Sequence, residues 1–413
     1  MRTKTAPRSF ETRLSRRTLI GGIGLGGLAA SVPAWAAGSV KLPLPGGPDE
    51  RQLTTAFPGK GEMILQRTHP PLLETPFEVF DQGVFTPNDR FFVRWHWASI
   101  PTEIEADAFR LKVHGAVERE LSLSLNDVAS LPRFEIAAVN QCSGNSRGLF
   151  EPRVPGAQWA NGAMGNALWT GVKLKDVLDK AGVKAGAVQV RFNGLDNALV
   201  DEAPDFKKSL DLDHANDGEV MIAYAMNGEQ LPILHGFPLR LIVPGWFSTY
   251  WMKMLSDIEV LDKPDENYWM KTAYRIPDTP GANVKPGEKG FPTVPINRMV
   301  PRSFLTNLKP GDRVAAGSPV ALRGIALGGD CGVKSVEFSS DGGKSWFPAQ
   351  LGKDEGPYSF RRFDGSLPAL AAGSVEVKVR CTNTKGIVQP EAAVWNPGGF
   401  MRNPIETVAI TAA

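Results

Sequence analysis

The pattern of this chain changes at Pro280, and that change limits the folds open to it. Upstream, strand-like and helix-like stretches alternate. Phe109 to Val113 alternates apolar and polar residues, Leu174, Val177, Leu178 and Ala181 share one helical face that Gly182 can end, and Val188 to Phe192 alternates again. The apolar run Val220 to Met226 reads as a buried strand turned by Asn227-Gly228. Mixed order of this kind predicts an α+β domain over residues 86–280 rather than a doubly wound sheet. Downstream, residues 281–295 form a glycine- and proline-rich linker. Residues 296–413 then carry short alternating strands, Val320 to Ile325, Ser335 to Ser339, Val375 to Arg380 and Val408 to Ile410, with Asp341-Gly342-Gly343 as a hairpin turn. That is the pattern of a β-sandwich. A chain of 413 residues, 42% of them hydrophobic, can bury both cores.

The N-terminus gives an address. Arg13, Arg16 and Arg17 precede an apolar, glycine-rich run from Thr18 to Ala30, and Ala34-Trp35-Ala36 offers small residues at cleavage spacing. Residues 1–36 therefore read as a secretory signal, not a membrane span. Ser15-Arg16-Arg17-Thr18-Leu19-Ile20 has the twin-arginine form, which belongs to the export of already folded proteins, so a periplasmic protein is expected. No later apolar stretch is long enough to cross a bilayer. Residues 37–85, rich in proline and glycine and without a sustained period, read as an arm lying over the surface.

Composition excludes more than it identifies. A formal net charge of +2 leaves no basic footprint for nucleic acid. Without GxxxxGK[ST] there is no nucleotide phosphate cradle, and without CxxCH no covalent haem on this chain. Three cysteines leave at least one without an intramolecular partner. Cys142 is the natural one, and Cys331 with Cys381 is a pairing that spacing alone neither makes nor forbids.

Chemistry concentrates between Val139 and Gly171. The apolar run Phe134 to Val139 reads as a buried strand that ends at Cys142 and opens into a loop with Gly144, Asn145, Gly148 and Gly156. Such a loop can put one sulfur at the lip of a pocket with backbone amides facing a ligand, and Arg147 and Arg153 add positive charge there. Upstream, Phe92, Arg94 and His96 share one face of a β-prone segment. An arginine and a histidine two apart on one strand face call for a charged or polar partner, or a ligand.

These residues carry a resemblance. Asn140 to Arg147, Gln158-Trp159 and Gly162 to Gly171 resemble the molybdenum-cofactor segment of the sulfite oxidase family, in wording most like the bacterial periplasmic sulfite dehydrogenases. The resemblance implies Cys142 as the molybdenum ligand. A Phe-x-Arg-x-His run precedes the cysteine loop in that family and lines its pocket, which implies a cofactor-facing set Phe92, Val93, Arg94, Trp95 and His96, with Arg94 toward the anionic substrate. Leu234 to Trp246 is similar to the family's His-Gly-x-Pro-x-Arg signature, and Trp251-Met252-Lys253 to its pterin-contacting lysine segment. His235, Arg240, Trp251, Met252 and Lys253 would then cradle the pterin and its phosphate, with Asp196 accepting from the pterin amines. Tyr274 occupies the place of the family's active-site tyrosine, with Tyr268 competing for the assignment. The phrases Arg323 to Ala326, Val336 to Gly343 and Trp395 to Gly399 are similar to the immunoglobulin-like domain that follows the molybdenum domain and in several members mediates dimerisation. Ser146 departs from the pattern, standing where vertebrate enzymes have arginine and so thinning the positive charge.

What the resemblance implies is a periplasmic sulfite dehydrogenase with one molybdopterin per molybdenum and a c-type cytochrome as electron acceptor. Its substrate pocket would hold Arg94 and Arg147 as charges, Trp159 as a wall, and Tyr274 and His96 near the reacting centre. Two other readings remain. One is an exported S-oxide reductase of the same superfamily. The other is a hydrolase using Cys142 as nucleophile with His96 or His235 as base.

Overall fold

Proline and glycine break the segment after residue 37 into strands too short to show a period, yet these strands assemble. The computed structural model describes residues 38–413, so the leader read at residues 1–36 lies outside the described residues. Gly38–Lys41, Glu50–Thr54, Met63–Arg67, Leu72–Glu74 and Val93–Arg94 form an antiparallel sheet in sequence order. The expected surface arm is thus a sheet whose inner strands are sequestered, with Met63, Leu72 and Leu73 buried. Its last strand carries the Phe-x-Arg-x-His run, so the arm sets where Arg94 lies.

Two further sheets build the middle of the chain. In one, Arg133–Gln141, Met164–Lys173, Met221–Met226 and Glu229–Gln230 are neighbours, with Arg240–Ile242 also paired to Met221–Met226. The hairpin at Asn227-Gly228 forms as read, both residues having positive φ (54° and 79°). In the other sheet the order is Lys207–Asp211, Gln189–Asn193, Asp257–Leu261, Leu111–Gly115, Leu121–Leu123. Helices are few: the longest α-helix among the described residues, Leu174–Ala181, buries Leu174, Val177, Leu178 and Ala181 and ends at Gly182. The domain is mostly strand, less helical than an α+β label suggests: Leu111–Gly115, Gln189–Asn193 and Asp257–Leu261 alternate with a period of two, while Met164–Lys173 and Met221–Met226 are buried along most of their length.

After residue 296 two sheets share one apolar cluster. Arg302–Leu305, Val320–Leu327, Arg361–Leu367 and Gln350–Leu351 form one; Arg313–Val314, Glu406–Ala412, Gly373–Asn383, Val333–Ser339 and Phe347–Pro348 form the other. Leu322, Phe338, Phe363, Val379 and Ile410 meet between them. Cys331 and Cys381 are both free thiols, resting 3.9 Å and 3.7 Å from the carbonyls of Gly328 and Leu327. The linker is tied down, since Thr293–Pro295 pairs with Arg275–Pro277 and Ile296 is fully buried.

The seam between the two parts is apolar and cross-bonded. Phe80, Val139, Met164 and Phe247 pack with Phe304, Ile325 and Phe360. Asp81 takes hydrogen bonds from Arg323 and Thr306, and the Val139 amide donates to the Tyr358 carbonyl at 2.8 Å. No helix among the described residues is long and apolar enough to cross a membrane.

Candidate active site

Strand Arg133–Gln141 alternates exposure over its first half and is buried throughout its second, so it carries Cys142 from the surface into the core. There the chain turns sharply. The Cys142 amide donates to Ala163, Asn145 to the Cys142 carbonyl and Arg147 to that of Gly144, at 2.9–3.0 Å. Arg147 folds back across this loop. A Cβ on Gly144 would lie 2.5 Å from its Cζ, a contact the long side chain can relieve by shifting, whereas Gly156 has a φ of 115° that L side chains rarely adopt.

Cys142 lies between two cavities. The inner one is a narrow cleft reached by Phe92, Val93, Arg94, His96, Asp196, His235, Arg240, Trp251, Met252, Lys253 and Tyr274. Five expected blocks, scattered over the chain, therefore meet at one cleft. Trp95 does not line it: its ring is fully buried, its Nε1 donates to the Leu234 carbonyl, and the Lys253 ammonium sits 4.2 Å from its centroid. The reason is strand alternation, which turns Trp95 away from the face holding Arg94 and His96 toward the core with Met63 and Leu73.

The cleft is cationic. Burial, reinforced by Arg240, lowers Lys253 to about 7 while Asp196 opposes that shift, and burial raises Asp196 in turn. Burial brings Arg240 to about 9. His96 and His235 are held well below the usual histidine range, first by burial and then by neighbouring cations, so both imidazoles are neutral. Several buried polar atoms here find no partner among the described residues: Arg94 Nη1, both side-chain atoms of Asn140, Ser143 Oγ, Arg240 Nε and Thr249 Oγ1. Such atoms are costly unless a ligand takes them up. A flat heterocycle with amines and a phosphate has the donors and acceptors to do so, and molybdopterin fits this set.

The outer cavity has a volume of about 420 Å³ and is reached by Arg94, Cys142, Arg147, Trp159 and Tyr274. Tyr274 takes a left-handed backbone (φ 54°), a strained position for a bulky residue. Its hydroxyl is 2.6 Å from His96 Nε2, and the His96 ring stacks on Phe206 at 3.5 Å. Burial raises the Tyr274 phenol, keeping it protonated. Tyr268, the competing residue, is exposed and lines neither cavity.

The structure adds residues that sequence reasoning missed. Lys60 is buried, its ammonium bonded to the Asn88 and Phe91 carbonyls (2.8 and 2.7 Å) and 2.6 Å from His235 Nε2. Lys208, lowered by burial to about 7, lies 5.7 Å from the Tyr274 ring centroid. From the C-terminal part, Phe400 stacks on Tyr274 (5.7 Å) and supports the Arg147 guanidinium (5.1 Å), while the Met401 amide donates to the Ser143 carbonyl. The only signal for this was the Trp395 to Gly399 phrase, read as part of the sandwich. Ser146 lines neither cavity. It is buried at the seam with Asn161 and Arg302 on its hydroxyl.

Comparisons with known proteins agree with this geometry. Residues 97–269 match the family model described as oxidoreductase molybdopterin binding domain, and residues 294–413 that of the Mo-co oxidoreductase dimerisation domain. Sulfite oxidase of Gallus gallus is 31% identical over 376 residues, covering 86% of this chain and 80% of its own length. Mitochondrial sulfite oxidase of Homo sapiens is 34% identical over 349 residues, 80% of this chain but 62% of that protein's length, so the chain spans less than two thirds of this relative. Among solved structures, the sulfane dehydrogenase SoxCD of Paracoccus pantotrophus superposes with a TM-score of 0.70 at 25% identity, over 83% of this chain and 87% of that one. The chain belongs to the sulfite oxidase family of molybdopterin-binding oxidoreductases.

Proposed function

We propose that this protein is a periplasmic sulfite dehydrogenase that oxidises sulfite to sulfate and passes the electrons to a c-type cytochrome. The observation that carries the reading is the convergence of Arg94, Arg147 and Tyr274 on one cavity over Cys142. Cys142 would ligate molybdenum, and Asp196, His235, Arg240 and Lys253 would hold the pterin. Bound there, the cofactor supplies oxygen-atom transfer and accepts two electrons.

The chain's own residues do the rest. Arg94 and Arg147 bind the anion by charge-assisted hydrogen bonds, and Trp159 closes one wall. Neutral His96 fixes the Tyr274 proton. With its proton on Nε2, His96 donates to the phenol oxygen and leaves the phenol hydrogen free to donate to substrate oxygen. The leader at residues 1–36 supplies export, and the immunoglobulin-like sandwich supplies a dimer interface. A c-type cytochrome would receive the electrons one at a time.

A second reading, oxidation of a larger sulfur substrate, is favoured by the roominess of the outer cavity and by the likeness to a sulfane dehydrogenase. Offering the purified holoenzyme sulfite, a sulfane sulfur compound and methionine sulfoxide separates these. Sulfate formation at two electrons per sulfite supports the main reading. Reaction with the sulfane alone favours the second, and consumption of the sulfoxide alone rejects both.

A further inference from the structure

The outer cavity is built for more charge than one sulfite carries. Beyond Arg94 and Arg147 it is lined by Arg51 and Arg67, from strands Glu50–Thr54 and Met63–Arg67 of the N-terminal sheet, and no carboxylate lines it. None of these four guanidiniums has a carboxylate within ion-pair distance among the described residues. Arg147 bonds only to the Gly398 carbonyl, and Arg51 to Gln66 and to backbone carbonyls. The Arg67 guanidinium is depressed first by partial burial and then by the charge of Arg94, which places those two cations within reach of one another.

Arg51 is held in place. Its Nε donates to Gln66 Oε1 at 3.2 Å, Gln66 Nε2 donates to Glu74 Oε2 at 2.7 Å, and buried Glu74 accepts from the Gly162 amide at 2.9 Å. The arm's rim is thereby tied to the loop that follows Cys142. Four like charges around one space repel each other, and anions are what relieve the repulsion. The volume of about 420 Å³ lies in the range of pockets for small organic ligands, roughly 300–1,000 Å³, and a four-heavy-atom oxyanion fills only part of it.

We propose that Arg67 and Arg51 form an outer oxyanion station, so that the cavity holds two doubly charged sulfur oxyanions at once, one at the rim and one over Cys142. The inference rests on the sulfite reading for its substrate class but not for its test. The outer station captures the incoming anion and keeps the outgoing one from blocking the inner site.

The test is calorimetric titration of the purified holoenzyme with sulfate at low ionic strength, in wild type, Arg67→Ala, Arg67→Lys and the Arg51→Ala/Arg67→Ala double variant. The expected result is two sulfates per chain in wild type and Arg67→Lys, and one in the double variant. Arg67→Ala should weaken only the second, and should lower kcat/KM for sulfite roughly threefold to tenfold at low salt, an effect that shrinks as salt is added. One sulfate in wild type, or two retained in the double variant, overturns the station. If two sulfates bind and sulfite is not oxidised, the station stands and the sulfite reading falls; if sulfite is oxidised and one sulfate binds, the reverse holds.

Discussion

The inner cleft and the outer cavity share Cys142, Arg94 and Tyr274, yet they are built in opposite ways. The cleft takes most of its lining from residues 97–269, joined by Phe92, Val93, Arg94, His96 and Tyr274 from outside that span, and several of its buried polar atoms have no partner among the described residues. The cavity draws its walls from the N-terminal sheet and the cysteine loop, and the C-terminal residue Phe400 fixes its floor. Cofactor-facing residues thus come mainly from the middle of the chain, while the outer rim depends on earlier strands of the N-terminal sheet. Variants of the first kind should abolish the reaction, and variants of the second should tune it.

The largest effect expected is on the shared sulfur. Cys142→Ser should reduce sulfite turnover to background while thermal unfolding stays within a few degrees of wild type; retained turnover in steady-state assays would break the assignment of chemistry to the cleft. Next comes the seam. Arg302 is buried, bonded to Glu406 at 2.7 Å and to Ser146 Oγ at 3.0 Å. Truncating it to alanine leaves Glu406 with Arg402 alone, at 3.6 Å, and should cost toward the low end of the about 3–5 kcal/mol typical of a broken buried pair, read by denaturant unfolding. Phe400→Ala removes the ring shared by Tyr274 and Arg147 and should lower kcat/KM about tenfold, equivalent to about 1.4 kcal/mol, without loss of molybdenum from the cleft.

The smallest effect is a slope. Burial raises the Glu74 carboxyl from 4.5 to about 7, so its folded form holds a proton that the unfolded form has released between those values. Its contribution to stability is full below about pH 4.5 and is lost as pH rises through 7. Glu74→Gln should therefore flatten the dependence of Tm on pH across that window, and an unchanged slope would detach Glu74 from the rim.

The same contrast explains what was legible in the sequence. Cys142, Asp196, His235, Arg240 and Lys253 stand in contiguous motifs on strands and tight turns, where spacing fixes which face a side chain takes. Alternation also explains Trp95: sharing a motif with Arg94 and His96 puts it on the opposite face. Arg51, Gln66 and Arg67 were hidden because the proline- and glycine-rich stretch around their strands shows no sustained period, and the arm's place over the loop depends on long-range pairing. Lys60 and Phe400 reach the site from 175 residues before His235 and from beyond the linker, distances over which no local pattern speaks. Ser146, the position that departs from the family's pattern, shows that a residue inside a motif can turn its side chain to a seam.

The decisive measurement is sulfite-dependent reduction of a c-type cytochrome by protein expressed from the full 413-residue sequence, alongside its molybdenum content. The account predicts about one molybdenum per chain and two cytochromes reduced per sulfite consumed. Protein that folds and oxidises sulfite without molybdenum, or carries molybdenum and leaves sulfite untouched, would contradict it.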